Sequence, residues 1–415
     1  MKKSVVALLI CAIAGADGAY AASDEIFGNG FEPVGFAIPL ASPLGPDFEY
    51  TAQVTIGDQD FALQIDTGST TLGVAGAGCS SCTGVSPLYS PSASAMATGE
   101  KGVATYEDGS GWSGPIYSDT VGLGNGSPSV SVDLVDITTQ KSFFDGDNDY
   151  QGILGLGPPG NAIQGTTGYI PELVSAGIEN TFAFELCDNT GADAGTMWIG
   201  GDGAPVSVQL TPLVPITNNN PFYAINVNAL SLGTTTVVTN AANTFEQPVL
   251  DTGTSLFYVP TSVFKTFRSD LQASAGFQAV FGSKTFPTSG ANAGCVIDAS
   301  VTDAEVQSGL PHLLLSLPNM TSGQPDVTIE ASALDTYIYN GGDGSYCLAI
   351  QDGGTQDPST FGDAFMQAFH IVINVADSRV GFAAPTNCVA PAISHRVLHP
   401  MQNGPHRPPR LSRPE

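Results

Sequence analysis

The chain has 415 residues, 42% of them hydrophobic, which is long enough for two or three domains and apolar enough for real cores. A net charge of −27 excludes nucleic acid as a natural partner, because the phosphate backbone would be repelled, and no apolar run beyond the N-terminus has the length of a membrane span. The 49 glycines set against 12 lysines and arginines favour short strands and tight turns over charged helix faces, so the composition points to an all-β chain. Many of the carboxylates would protonate in acid and relieve self-repulsion, so acid operation is one reading of the charge and a solubility device is the other.

In chain order, Lys2 and Lys3, the apolar stretch "SVVALLICAIAG" and the small residues Ala19 to Ala21 read as a secretory signal over residues 1–21. Of the 7 cysteines Cys11 leaves with that signal, and the other six enter an oxidising compartment where disulfides are the default. Residues 22–34 form a short extension carrying Asp24, Glu25 and Glu32 but no lysine or arginine. The stretch "FEYTAQVTIGDQDFALQIDTG" then alternates, with Phe48, Tyr50, Ala52, Val54 and Ile56 on one face, a Gly-Asp turn, and Phe61, Leu63 and Ile65 on one face. That is a β-hairpin by period and punctuation. Strand-like runs continue almost to Cys388, interrupted by two segments with helical spacing, Ile170 to Ile178 and Thr261 to Ala273. Beyond Cys388 the composition turns to Pro, Arg and His without apolar period, so residues 389–415 read as a disordered tail, with a basic interaction arm as the alternative.

Three of the 5 histidines lie in that tail, which leaves a Ser/His/Asp or Cys/His catalytic set little to build from. His312 and His370 sit in apolar strand-like contexts and read as packed structural histidines. The chemistry-bearing signal is a weak internal repeat. In the first half a strand ends in "IDTG" and is followed later by "GILGLG"; in the second, "LDTG" is followed by "TFGDAF". Two similar lobes, 35–204 and 205–388, would then meet at a cleft and set Asp66 against Asp251. Two carboxylates a few ångströms apart cannot both ionise easily, so they share a proton, one acting as base and the other as acid on a water between them. Gly68 and Gly253 permit close backbone approach. Thr67 and Thr252 can turn inward to brace the opposite lobe, and Ser69 and Thr254 can bond the outer carboxylate oxygens.

The ordered set "DTGS", "YEDGSGWSG", "GILGLG", "LDTGTS", "FGDAF" and "RVGFA" resembles the pepsin-like aspartic peptidases over about Gly35 to Cys388. The resemblance implies a bilobal all-β fold of two β-barrel-like lobes with a cleft between them. It also implies an endopeptidase that cleaves proteins and peptides in acid with a preference for apolar residues, needs no cofactor or metal, works as a monomer and binds pepstatin-type inhibitors. The resemblance itself implies that the two carboxyls share one proton. The resemblance makes the hairpin around "YEDGSGWSG" a flap over substrate, with Tyr106 as the flap tyrosine and Asp108, Gly109 and Ser110 at its tip. Phe144 and Tyr150 match pocket aromatics, although as bare aromatics they are equally core.

Two departures concern the flap. Family members usually carry a Trp where this chain has Gly73, and Trp112 could supply the indole N–H from within the flap, as in the β-secretase branch. Glu107 stands where glycine is common. A third is the missing lysine-bearing prosegment, which makes activation by prosegment release doubtful and, with the Lys-Lys signal, gives the chain a bacterial look. The resemblance also pairs Cys79 with Cys82, Cys187 with Cys388 and Cys295 with Cys347. A redox reading of "CSSC" lacks its helix N-terminus, and a zinc site lacks a second pair. A two-carboxylate glycosidase would not need Thr-Gly after each acid. A catalytically silent inhibitor or binding protein on the same scaffold usually has a damaged DTG, and both are intact here. The expected location is secreted or periplasmic, without membrane insertion.

Overall fold

The computed structural model describes residues 35–42, 49–106, 109–144, 150–187, 191–205, 207–239, 245, 247–289, 293–334, 336–342, 344–354 and 359–388. The expected signal, the extension 22–34, Glu107, Asp108 and the tail 389–415 therefore lie outside the described residues. The rest is mostly β, with a sheet of 14 strands and three smaller sheets. The first hairpin joins Thr51–Ile56 to Gln59–Asp66 in antiparallel register, Ile56 facing Gln59 across the turn. Alternation does the sorting: Ala52, Val54 and Ile56 are buried and Gln53 and Thr55 exposed.

The repeat suspected in the sequence is a repeat of strand pairing. In the first half Gln59–Asp66 runs parallel to Gly152–Gly155, which pairs antiparallel with Gly73–Ala75, itself parallel to Val130–Ile137. In the second half Val249–Leu250 runs parallel to Thr360–Phe361, which pairs antiparallel with Phe257–Val259, itself parallel to Ile350–Asp352. Each acidic turn thus leaves its strand beside a glycine-bearing partner. The halves are joined at the back of the large sheet, where Thr181–Leu186 lies between Gly191–Ile199 and His370–Asn374.

Thr261–Ala273 is helical over the span its spacing gives, burying Val263, Phe267 and Leu271 on one stripe. The other expected helix occupies Tyr169–Ser175, starting one residue earlier and ending before Gly177. Asp303–Gly309 is a helix that apolar period does not announce, although Thr302 and Glu305 form a capping box at its start. Three disulfides close Cys79 to Cys82, Cys187 to Cys388 and Cys295 to Cys347. His370 is buried, but His312 is not packed: it precedes the strand Leu313–Leu317 on the solvent phase of its alternation and meets the exposed Glu330 at 2.6 Å.

Candidate active site

Asp66 ends its strand and Asp251 directly follows Val249–Leu250, so both acids sit where extended backbone turns. The turns are held from behind, Leu156 N–H donating to the Asp66 carbonyl at 2.7 Å and Asp251 N–H to the Phe361 carbonyl at 3.1 Å. Inside the turns the two halves repeat each other atom for atom. Asp66 accepts from Gly68 N at 2.8 Å and from the Ser69 hydroxyl, while Asp251 accepts from Gly253 N at 2.8 Å and from Thr254 Oγ1 at 2.7 Å. Both carboxyls are buried, and each lies against the glycine of the other's turn. Glycine is required beside each one: a Cβ on Gly68 would lie 2.5 Å from Asp251 Oδ2, and one on Gly253 would overlap Asp66 Oδ1.

The threonines lock the turns together. Thr67 Oγ1 donates to the Leu250 carbonyl at 2.8 Å and accepts from Thr252 N at 3.0 Å. Thr252 Oγ1 donates to the Ile65 carbonyl at 3.0 Å and accepts from Thr67 N at 3.1 Å. Four buried backbone groups are satisfied by two hydroxyls, each reaching into the other half. Burial, and then the charge of Asp251, hold the Asp66 carboxyl well above the usual range, against the pull of Ser69 and Gly68 N–H. Asp251 is raised too, chiefly by burial, with Thr254 and Gly253 opposing. The retained proton belongs to the pair.

Three further residues shape this centre without a signature of their own. Asn161 Nδ2 donates to the Gly68 carbonyl at 2.6 Å and the Tyr223 hydroxyl to the Leu156 carbonyl at 3.0 Å, so both steady the first turn. Asp363 opens a short helix whose N–H donates to the Thr254 carbonyl at 2.7 Å. Its two carboxyl oxygens have no hydrogen-bond partner among the described residues. Burial, then the charges of Asp251, Glu49 and Asp66, push it well above the ordinary carboxylate range. "FGDAF" drew attention as the second-half partner strand, but nothing in that motif says its acid faces the pair.

Strands Met96–Thr105 and Gly111–Gly122 form a long hairpin whose ends meet at Thr105 and Gly111. Its tip turns back through Gly109 N–H to the Tyr106 carbonyl at 2.9 Å and Tyr106 N–H to the Ser110 carbonyl at 3.0 Å, with Gly109 at φ +80°. Trp112 Nε1 donates to the Tyr106 hydroxyl at 2.5 Å. The same indole lies over Gly73, where a Cβ would come 3.0 Å from Cζ2 and 3.1 Å from Cη2. Gly73 leaves room for a ring arriving from the hairpin. Phe144 and Tyr150 are buried 6.1 Å apart, centre to centre, in the cluster that includes Tyr106 and Trp112. Phe143, which sequence reasoning passed over, is the hub, its ring 5.4 Å from Tyr106, 4.8 Å from Phe144 and 6.3 Å from Trp112.

The family model described as eukaryotic aspartyl protease matches residues 49–385. Among similar proteins, an aspartic protease of Phaffia rhodozyma is 26% identical over 348 residues, covering 82% of this chain and 77% of that protein. Rhizopuspepsin-2 of Rhizopus niveus is 26% identical over 336 residues, 79% of this chain and 76% of its own. Secreted aspartic protease 8 of Candida albicans is 35% identical over 234 residues, 53% of this chain and 54% of its own. The chain belongs to the eukaryotic aspartyl protease family: it is an aspartic-type endopeptidase with peptide substrates. These relatives are fungal and give no support to a bacterial source. A short basic start is common to secretory signals at large, so Lys2 and Lys3 do not separate the two.

Proposed function

We propose that Asp66 and Asp251 are the catalytic pair and hydrolyse peptide bonds in acid through a water held between them. The ionised carboxylate takes a proton from the water as its oxygen attacks the peptide carbonyl, and the protonated carboxyl gives its proton to the carbonyl oxygen. Collapse of the tetrahedral adduct moves a proton to nitrogen, breaks the C–N bond and returns the pair to one proton. The observation that carries this reading is two buried carboxyls set against each other's glycine turn, each with one backbone N–H and one hydroxyl donating to its two oxygens. Raised proton affinities from burial and mutual charge favour the one-proton state in acid.

Thr67 and Thr252 keep the pair aligned, and Gly68, Gly253, Ser69 and Thr254 orient its oxygens. Tyr106, Gly109, Ser110 and Trp112 belong to a flap over the substrate, with Trp112 steadying the tyrosine that faces it. Phe144 and Tyr150, with Phe143, line an apolar pocket next to the flap and favour apolar residues at the cleaved bond. Asp108 completes the tip by its place in the motif. The lobes divide as 35–204 and 205–388, a reading supported by the repeated strand pairing. The protein is secreted, supported by its disulfides, its signal-like start and the name of the Candida relative, and the family resemblance makes it a monomer. Cleavage of a denatured protein across acid and neutral pH, with and without pepstatin, tests the function. Acid-favoured cleavage abolished by pepstatin is expected; pepstatin-insensitive cleavage would refute it.

A further inference from the structure

The joint between the halves holds a buried glutamate–histidine pair that the peptidase chemistry does not use. Glu185, on Thr181–Leu186, faces His370, on His370–Asn374, at the last register pair of those strands. Their side chains are 0% and 1% exposed and meet at 3.0 Å, Glu185 Oε2 to His370 Nδ1. The other ring nitrogen, Nε2, lies 2.7 Å from the Asp202 carbonyl oxygen. Both ring nitrogens therefore face acceptors, and only the imidazolium can donate to both.

The remaining bonds of Glu185 go to residues 386–388. Its Oε1 accepts the backbone N–H groups of Thr386 at 2.5 Å, of Asn387, and of Cys388 at 3.1 Å, and Oε2 accepts Asn387 Nδ2 at 3.2 Å. Thr386 and Asn387 are exposed, so this segment has little apolar burial to hold it. It is seated by one carboxylate and by the Cys187–Cys388 bridge.

We infer that Glu185 and His370 form a proton-dependent latch that seats Thr386–Cys388 on the joint between the halves in acid and loosens it as the imidazole loses its proton. The groups facing His370 are few. Glu185 comes from the neighbouring strand, the Asp202 carbonyl and carboxylate from the segment after Gly191–Ile199, and the Trp198 ring lies 5.0 Å away, centre to centre. Arg379, bridged to Asp377 at 2.7 Å, also acts on Asp202, whose carboxyl is raised by burial despite the N–H of Ala204. Burial works against ionised Glu185, but His370 and the N–H groups of Asn387 and Thr386 outweigh it and hold the acid below its ordinary value. A lowered carboxyl contributes above its unfolded value and loses that contribution only as pH falls through the folded one. The acid side of the latch thus survives below the usual glutamate range. Loss comes from the basic side, where a neutral imidazole turns a lone pair on an oxygen and leaves the buried carboxylate without its counter-charge.

The test is amide hydrogen exchange of Thr386–Cys388 in the intact, oxidised protein, corrected for intrinsic rates, at about pH 5 and about pH 8, which bracket the ordinary histidine range. Protection should fall by about tenfold or more at the higher pH, the scale of one charge-assisted hydrogen bond. It should fall along the same curve as the His370 ring titration followed by NMR. A His370→Gln variant should show weak protection at both pH values. Equal protection at the two pH values in the wild type, a midpoint that departs from that of the His370 ring, or a pH response that survives in His370→Gln would overturn the latch. The comparison with the ring titration uses only wild-type protein, so it stands even where the variant fails to fold.

Discussion

Replacing Thr67 with valine keeps the shape of the side chain and removes both hydrogen bonds of its hydroxyl. The Leu250 carbonyl and the Thr252 N–H are then left buried without partners, having been met at 2.8 and 3.0 Å. Each orphaned group costs about 1–3 kcal/mol, so the variant should lose roughly 2–5 kcal/mol of stability after partial relaxation. At about 2–4 °C per kcal/mol for a domain of this size, that is a fall of about 4–20 °C in Tm. The turns also lose their register, so kcat should drop while KM changes little. Thermal unfolding in acid and steady-state cleavage of a peptide are the assays, with Thr67→Ser as the control that keeps the hydroxyl. A loss below about 0.5 kcal/mol, the scale of a neutral surface change, with unchanged kcat would show that these bonds neither hold the halves together nor align the acids.

Trp112→Phe keeps a ring but not the N–H that reaches Tyr106 at 2.5 Å, and should lower kcat/KM with little change in Tm; an unchanged rate would remove the indole from the flap's working parts. Gly73→Ala should be destabilising in the wild type, where its Cβ lies 3.0 Å from the indole, and nearly neutral in Trp112→Ala, a coupling of about 0.5–3 kcal/mol readable from a double-mutant cycle of unfolding midpoints. Additive effects would mean that the two positions do not share space. Asp363 has its proton affinity raised in the fold, so its contribution is full below its unfolded value and is lost as pH rises through the folded one. Asp363→Asn should therefore reduce the stability lost between strong acid and neutral pH, read from unfolding curves across pH. An unchanged pH slope would place the penalty on other groups.

The parts of this site legible in the sequence are local. An alternating strand that ends in Asp-Thr-Gly specifies its own turn, its glycine and its oxygen-orienting hydroxyl within four residues, and a second copy makes the pair. The contact of Trp112 with Tyr106 was legible only through the resemblance, which marks the missing indole at Gly73 and puts both residues in one hairpin. What the sequence did not disclose depends on distant chain segments. Asn161 and Tyr223 reach the first turn only because strands from other parts of the chain pack behind it. Phe143 and Phe144 are adjacent and equally apolar, so only their packing tells which ring meets Tyr106. His312 precedes and His370 opens an apolar strand, yet His312 falls on the solvent phase of an alternating strand whereas every position of His370–Asn374 is buried, a difference set by what packs on each sheet. Glu185 and His370 are a pair only through the sheet that joins the halves.

The most direct test of the shared-proton pair is the hydrolysis rate of a denatured protein in acid by Asp66→Asn and by Asp251→Asn, each checked for a wild-type circular dichroism spectrum. An amide keeps the shape and most of the hydrogen bonds of either carboxyl but cannot exchange a proton with water or substrate. Each variant should lose at least about two to four orders of magnitude in rate, the range that acid-base catalysis supplies. A folded variant of either kind that kept about a tenth of wild-type activity or more, far outside that range, would contradict the pairing of Asp66 with Asp251 as the source of catalysis.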